Sequence, residues 1–282
     1  GQNIGFITYP AFSASWVLSE EPFFPQLALL SNLRLRAAYG ESGVRPGRLD
    51  AVQTYTDRAV ALDGGVRSGF ILNRIGNPDL KPEISREVEL GADLGLFDDR
   101  LGLEATYYDK TTRDALVRRP LGPSLGGPAT QFFNLGEVSN RGWEGRIRAE
   151  PLRTRRASLD VGMTFFTNRN RLVALGDTAI PPIAFGAAQR HIDGYPLGGY
   201  WLGRYRYADA NADGLIQRGE VTLLADSLQD DPGTELEGDG RSYQGTPFPT
   251  RELSFNADLT LFRAVRLHAL VDHRGGHTRY NF

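Results

Sequence analysis

Twelve residues, Asp209 to Glu220, read "DANADGLIQRGE" and place oxygen-bearing groups at the ligand positions of a calcium loop. Asp209, Asn211, Asp213, the Leu215 carbonyl and Glu220 would supply hard oxygen ligands, and Gly214 falls where such a loop bends sharply. The flanks "GGYWLGRYRYA" and "VTLLADSLQDDPG" do not read as helices, because Gly198, Gly199 and Gly203 are poor helix residues. A sensor that opens a helix pair is therefore excluded. Two readings stay open: a structural calcium ion that stiffens the loop, or an Asx-rich turn whose side chains satisfy their own backbone without an ion. No other cofactor is required.

Other residues that could do chemistry are few. His191, His268, His273 and His277 are the only histidines. His273 and His277, beside Asp272, have the four-residue spacing of one helical face, but the local pattern is that of a strand. Glu87, Glu89, Asp93, Glu104 and Glu144, with Arg146 and Arg148, form a carboxylate and guanidinium set from which a glycosidase would need two carboxyls ~5–9 Å apart. Their regular alternation with apolar neighbours fits a charged lining instead, so the sequence predicts no enzyme. Neither a nucleophile elbow nor a phosphate loop is present. Among the loop aromatics Tyr195, Tyr200, Trp201, Tyr205 and Tyr207, we single out Tyr200, Trp201 and Tyr205 as candidates to stack on a sugar or pack beneath a partner.

Composition narrows the partners. The 282-residue chain has a formal net charge of -2, which gives no electrostatic case for nucleic acid. It has no cysteine, and Lys81 and Lys110 are its only lysines. No signal peptide is visible and no apolar run nears the ~18 residues of a transmembrane helix, which leaves spanning strands open because they escape hydropathy scans.

The elements that must position these residues alternate with period two. Val88 to Leu96, Leu101 to Tyr107, Trp143 to Ala149, Leu159 to Phe165, Leu253 to Leu261, Val265 to Val271, Leu33 to Tyr39 and the opening Ile4 to Val17 make about eight strands. "FDDR" (Phe97 to Arg100), "RTRR" (Arg153 to Arg156) and Phe262 to Ala264 are tight turns, and "SEEPFFPQLALLSN" has room for one or two helical turns. Long polar loops, Glu41 to Pro82, Arg118 to Asn134 and Asn170 to Thr250, alternate with them. Short turns at one end and long loops at the other are the arrangement of an all-β, antiparallel up-and-down transmembrane barrel. A soluble antiparallel sandwich also alternates, but several segments reach the ~9–11 residues of a tilted spanning strand. Aromatics gather near strand ends (Tyr107/Tyr108, Phe132/Phe133, Phe165/Phe166, Trp201/Tyr205), where an interfacial girdle would put them.

"GNPDLKPEISREVELGADLGLFDDRLGLEATYYDKTTRDAL" resembles the mid-barrel signature of TonB-dependent outer-membrane transporters. "SWVLSEEPFF", "LSNLRLRAAYGESG", "NLGEVSNRGWEG" and "GYPLGGYWLGRYRYADANADGLIQRGE" are similar to the SusC/RagA-like branch, as is "GTPFPTRELSFNADLTLF". The resemblance covers essentially residues 1–282, with 171–250 as a long extracellular loop region. It implies a carboxy-proximal part of a larger barrel in a Gram-negative outer membrane, without its plug and terminal strands, that imports a glycan or peptide. It also implies TonB, acting through the plug, as a partner, along with a SusD-like lipoprotein lid and outer-membrane lipid. A siderophore or cobalamin receptor, and a secreted soluble β adhesion module, are the alternatives.

Overall fold

The structure, a computed structural model, describes residues 7–62, 64–122, 124, 130–176, 183–185, 188–223 and 241–280. The expected strand residues Ile4 to Phe6 lie outside these. In chain order the strands are β1 (Ala11–Val17), β2 (Leu30–Val44), β3 (Thr54–Leu62), β4 (Gly65–Arg74), β5 (Glu83–Leu96), β6 (Leu101–Pro120), β7 (Thr130–Arg153) and β8 (Ala157–Ala174). They continue with β9 (Ile183–Phe185), β10 (Gln189–His191), β11 (Gly199–Leu202), β12 (Tyr205–Tyr207), β13 (Val221–Leu223), β14 (Ser242–Gly245), β15 (Arg251–Leu261) and β16 (Val265–Gly275).

Eight of these form one sheet in the order β1-β2-β5-β6-β7-β8-β15-β16, every neighbouring pair antiparallel. They are the eight strands expected from alternation. β1 and β16 are the edges, so the sheet is an open segment of wall.

Register fixes which side chains share a face, since a slip of one residue would exchange the faces. One row runs Trp16, Leu35, Ala92, Ala105, Gly145, Phe165, Leu253. The next, towards the tight turns, runs Leu33, Leu94, Leu103, Ile147, Met163, Phe255, Val271. Among the described residues no second layer covers this face: Leu90, Phe255, Leu267 and Val271 are 55%, 40%, 56% and 61% exposed. Apart from the seven-residue β1, which carries three (Phe12, Ala14 and Trp16), each strand of the sheet carries four or five such outward apolar residues, about nine residues of chain. At ~3.3 Å rise and ~40° tilt that makes a band roughly 23 Å tall, close to what a spanning barrel wall presents to lipid.

The band ends abruptly on the loop side. Tyr39, Tyr107 and Trp143 close it, with the last two rings 5.2 Å apart. Beyond them the same face turns ionic, with Glu41 paired to Arg86 at 3.1 Å and Asp109 to Arg141 at 3.0 Å. Tyr108, next to Tyr107, points to the other face and stacks on Phe166 at 6.2 Å, so the two aromatic doublets straddle the wall. The pairs Phe132/Phe133 and Trp201/Tyr205, expected in a girdle, lie elsewhere. Phe132 and Phe133 sit far along β7 under the guanidinium groups of Arg118 and Arg119 (4.9 and 5.2 Å), and Trp201 and Tyr205 belong to the loop between β8 and β15.

The short connections fall at one end: residues 18–29, which include a single 3-10 turn at Leu18–Glu20, then 97–100, 154–156 and 262–264. Phe97, Asp98 and Asp99 (φ 56, 55 and 61) close one turn and Phe262 and Arg263 (φ 52 and 59) another. Successive left-handed residues match the right-handed twist of the strands they join. The loop end departs from the sequence reading. β2 reaches to Val44 in the expected 41–82 loop and β5 begins directly after it at Glu83, β3 and β4 form a separate hairpin within it, and β6 and β7 extend to Pro120 and from Thr130. β7 alone has 24 residues, more than twice the ~9–11 that a membrane requires.

Candidate functional site

The face opposite the apolar band is a ladder of charge. Asp93 on β5 sits between two guanidinium groups of β2: its carboxylate accepts from Arg34 at 2.6 Å and from Arg36 at 2.9 Å. Arg36 also donates to Thr106 at 3.1 Å, tying a third strand into the set. Glu104 pairs with Arg148 at 3.2 Å, Glu87 with Lys110 at 3.5 Å, Glu252 with Arg274 at 3.5 Å and Asp258 with His268 at 3.0 Å. These partners stand on neighbouring strands, so each pair reinforces the register. The alternation that puts Leu33 and Leu94 outward forces Arg34 and Asp93 inward.

Over the loop-side end of this face lies a small folded cap. β14, β11, β10 and β9 form its sheet in that order. Its hydrophobic core joins Leu175 and Ile183 to Val138 of β7 and Leu172 of β8. Backbone bonds clamp it to the wall, with Leu172 N–H donating to Tyr195 O at 2.8 Å and Gly194 N–H to Leu172 O at 2.7 Å. The Asn170 side chain accepts from Leu197 N–H at 2.7 Å. After β16, Thr278 donates to Thr246 O and Gln244 O, both at 2.8 Å.

The sequence-selected aromatics divide here. Trp201 is fully buried in the cap, edge-on to Tyr195 at 4.7 Å and near Tyr243 at 5.6 Å. Tyr200 stacks on Tyr280 at 6.3 Å and is half-buried. Tyr205 is exposed, beside Tyr207 at 6.5 Å. Of the three candidates, Trp201 is placed as the cap's core and Tyr205 offers a free ring.

The segment 209–220 is bracketed by the β12–β13 ribbon. Asp209 Oδ2 accepts from Gly214 N–H at 2.8 Å, Asn211 Oδ1 from Asp213 N–H at 3.0 Å, and Asp213 Oδ1 from Leu215 N–H at 2.8 Å. Glu220 accepts from Ala210 N–H at 2.9 Å and Gln217 N–H at 3.0 Å. Gly214 has φ +79, the left-handed bend the spacing called for. Among the described residues no three His, Cys, Asp or Glu side chains converge as metal ligands. The Leu215 N–H holds the Asp213 carboxyl below its usual range, and the Gln217 N–H does the same for Glu220. Since the folded values are depressed, this support is complete above the ordinary carboxylate range and is lost as pH falls through the lowered values. Hydrogen exchange on the full-length protein, corrected for intrinsic rate, is expected to report protected amides at Ala210, Leu215 and Gln217 at neutral pH. Protection should fall below about pH 4; unchanged protection there would assign those amides to other acceptors.

The histidines do not assemble. His273 is exposed on the outward face of β16, while His277 lies past the strand. His191 Nδ1 accepts from Gly198 N–H at 3.1 Å, and burial pushes its imidazole pKa down.

Two features had no sequence signal of their own. The Asn77–Pro82 stretch of the "NPDLKPE" motif brackets β7: Asn77 Nδ2 donates to Phe132 O at 3.0 Å, and Asn134 both accepts from Lys81 N–H and donates to Lys81 O at 2.8 Å. The other is the fit of Tyr108 over Gly142, where the phenol donates to Thr167 O at 3.1 Å and reaches Asn168 Oδ1 at 3.2 Å. The first joins the stretch before β5 to β7 and the second needs β6, β7 and β8 paired in register, so neither is visible from one strand alone.

An apolar band outside, paired charge inside, tight turns at one end and folded loops at the other define a segment of an outer-membrane-type, up-and-down β-barrel wall. Residues 3–281 match the family described as TonB dependent receptor-like, beta-barrel, and the chain belongs to it. It is similar to TonB-dependent receptor P39 of Formosa agariphila (31% identical over 98% of this chain and 28% of the relative) and to TonB-dependent receptor P3 of the same organism (29% identical, 92% and 27%). TonB-dependent receptor SusC of Bacteroides thetaiotaomicron is 24% identical over 76% of this chain and 24% of its own length. The chain thus spans about a quarter of the length of these relatives. Its fold matches the RagAB peptide transporter structure with a TM-score of 0.77 at 19% identity, covering 95% of this chain and 29% of that one.

Proposed function

We propose that the full-length protein is an outer-membrane importer of the SusC/RagA-like kind. In this reading the present wall segment and its cap form part of the passage for a glycan or peptide. The observation that carries the proposal is the two-faced wall: a bare apolar band of membrane height backed by an ion-paired interior. Such a wall is stable only where lipid covers one side and a polar lumen the other. Its work is binding and translocation, driven through TonB acting on a plug and capped by a SusD-like lipoprotein. The names of its relatives support TonB dependence, and SusC and RagAB among them support the nutrient class.

Deleting the full-length reading frame from its own genome is the test. Growth on a glycan or peptide mixture as sole carbon source should fail, and uptake in the parent strain should stop when a protonophore collapses the inner-membrane gradient. Loss of growth only under iron or cobalamin limitation would transfer the protein to siderophore or cobalamin uptake. Recovery of the full-length product in soluble form without detergent would overturn membrane transport altogether and favour an adhesion module.

A further inference from the structure

Immediately above the apolar band, the outward face carries one ring of charge that is neutralised along only half its length. On β2 and β5 the first outward ionic groups are Glu41 and Arg86, paired at 3.1 Å; on β6 and β7 they are Asp109 and Arg141, paired at 3.0 Å. On β8 and β15 the corresponding groups are Arg169, with Arg171 two residues beyond, and Arg251, all exposed. Among the described residues none of these three arginines has an ion-pair partner. Arg169 also lies directly across from Arg141 in the β7–β8 register, and like charges at opposed positions destabilise a sheet. On β16 the position opposite Arg251 is Gly275, with His273 one outward position before it opposite Leu253, and no acid follows on that face.

We propose that Arg169, Arg171 and Arg251, with Arg141 at their flank, form a binding patch for the phosphate groups of anionic lipid headgroups in the loop-side leaflet. The proposal rests on the membrane reading given above. Three points of chemistry select this occupant. The patch sits where the apolar band stops, which is the depth at which headgroup phosphates begin. Long arginine side chains at that level keep their stems on apolar surface and raise their guanidinium groups to the interface. The guanidinium fork also matches phosphate oxygens in a bidentate way that an ammonium cannot. A phosphate between Arg141 and Arg169 offsets the repulsion that the register otherwise imposes, while on the β2–β7 side the protein supplies its own anions and needs none from lipid.

The test uses full-length receptor in nanodiscs of phosphatidylcholine doped with lipid A, exchanged into zwitterionic detergent and weighed by native mass spectrometry. Wild type is expected to retain lipid A. The combined variant Arg169→Gln, Arg171→Gln, Arg251→Gln is expected to lose affinity on the order of 100-fold, given about a fivefold contribution from each basic side chain at an anionic surface. The matching lysine triple should hold lipid A well above the glutamine triple, since it keeps the charge. Equal retention by wild type and the glutamine triple, or no retention by wild type, overturns the proposal. In phosphatidylcholine discs without lipid A, binding of inorganic phosphate as tightly as lipid A would assign the patch to a soluble anion and overturn the lipid assignment. Failure of every variant to enter discs would strike the membrane reading itself, an outcome separate from those above.

Discussion

Replacing Gly142 with alanine is expected to abolish correct assembly of the wall. Gly142 lies buried on the inward face of β7, and an added Cβ there falls well inside contact distance of the Thr167 carbonyl oxygen on β8 and 2.6 Å from the Tyr108 hydroxyl. The tyrosine ring could rotate, but the carbonyl belongs to backbone locked in the β7–β8 ladder. Relief would require β7 and β8 to separate locally, breaking the hydrogen bonds that Tyr108 makes to Thr167 and Asn168. Overpacking typically costs about 1–3 kcal/mol, and collision with fixed backbone belongs at or above the top of that range. The yield of heat-modifiable, folded full-length receptor in outer-membrane extracts measures the effect. Gly145→Ala is the control. Its added Cβ meets only the Phe165 ring, a side chain on the outward face that can swing aside into lipid, so folding should be nearly normal. Equal yields from the two variants would remove Gly142 from the role given to it.

The second large effect is confined to the cap. Trp201→Ala should cost about 3–5 kcal/mol of local stability, the usual range for emptying a fully buried tryptophan site. The indole touches Tyr195 and Tyr243, and among the described residues nothing else in the cap is as large and as completely enclosed. Hydrogen exchange should accelerate in β10, β11 and β14 while β5 to β8 keep their protection, because the wall's ladder does not depend on the cap. Trp201→Phe separates packing from polarity. Among the described residues the buried indole N–H has no hydrogen-bond partner, so phenylalanine removes an unsatisfied donor along with some volume. That variant should lose about 1 kcal/mol or less. Simultaneous loss of protection in cap and wall would mean the two unfold as one unit.

Much of the wall was legible from alternation alone, for a physical reason. Lipid on one side and charge on the other make each side chain's face its dominant constraint, so Val88 to Leu96 or Leu253 to Leu261 declare themselves without knowledge of their neighbours. The strand ends did not, because past Tyr107 and Trp143 the outward side chains are also polar and the period-two contrast disappears. β6 and β7 therefore read as loop from Arg118 to Asn134 although their ladder continues almost to its tip. The cap was hidden for a different reason. Its strands have three or four residues, too few to establish a period, and its core is assembled from Val138, Leu172 and Ile183, which are far apart in sequence. Trp201 illustrates the consequence: an aromatic in a long polar loop reads as a surface contact until burial places it at the centre of a fold.

The overhang of β6 and β7 has a mechanical meaning. Two ribbons laddered from Asp109 to Pro120 and from Thr130 to Arg141, stiffened by the Asn77–Pro82 brace and bolted to the cap through Val138 and Leu172, make a mast rather than a hinge. In the importer proposed above, an aperture that widened to admit cargo would swing on other parts of the rim, with this part of the wall as the fixed post against which they close.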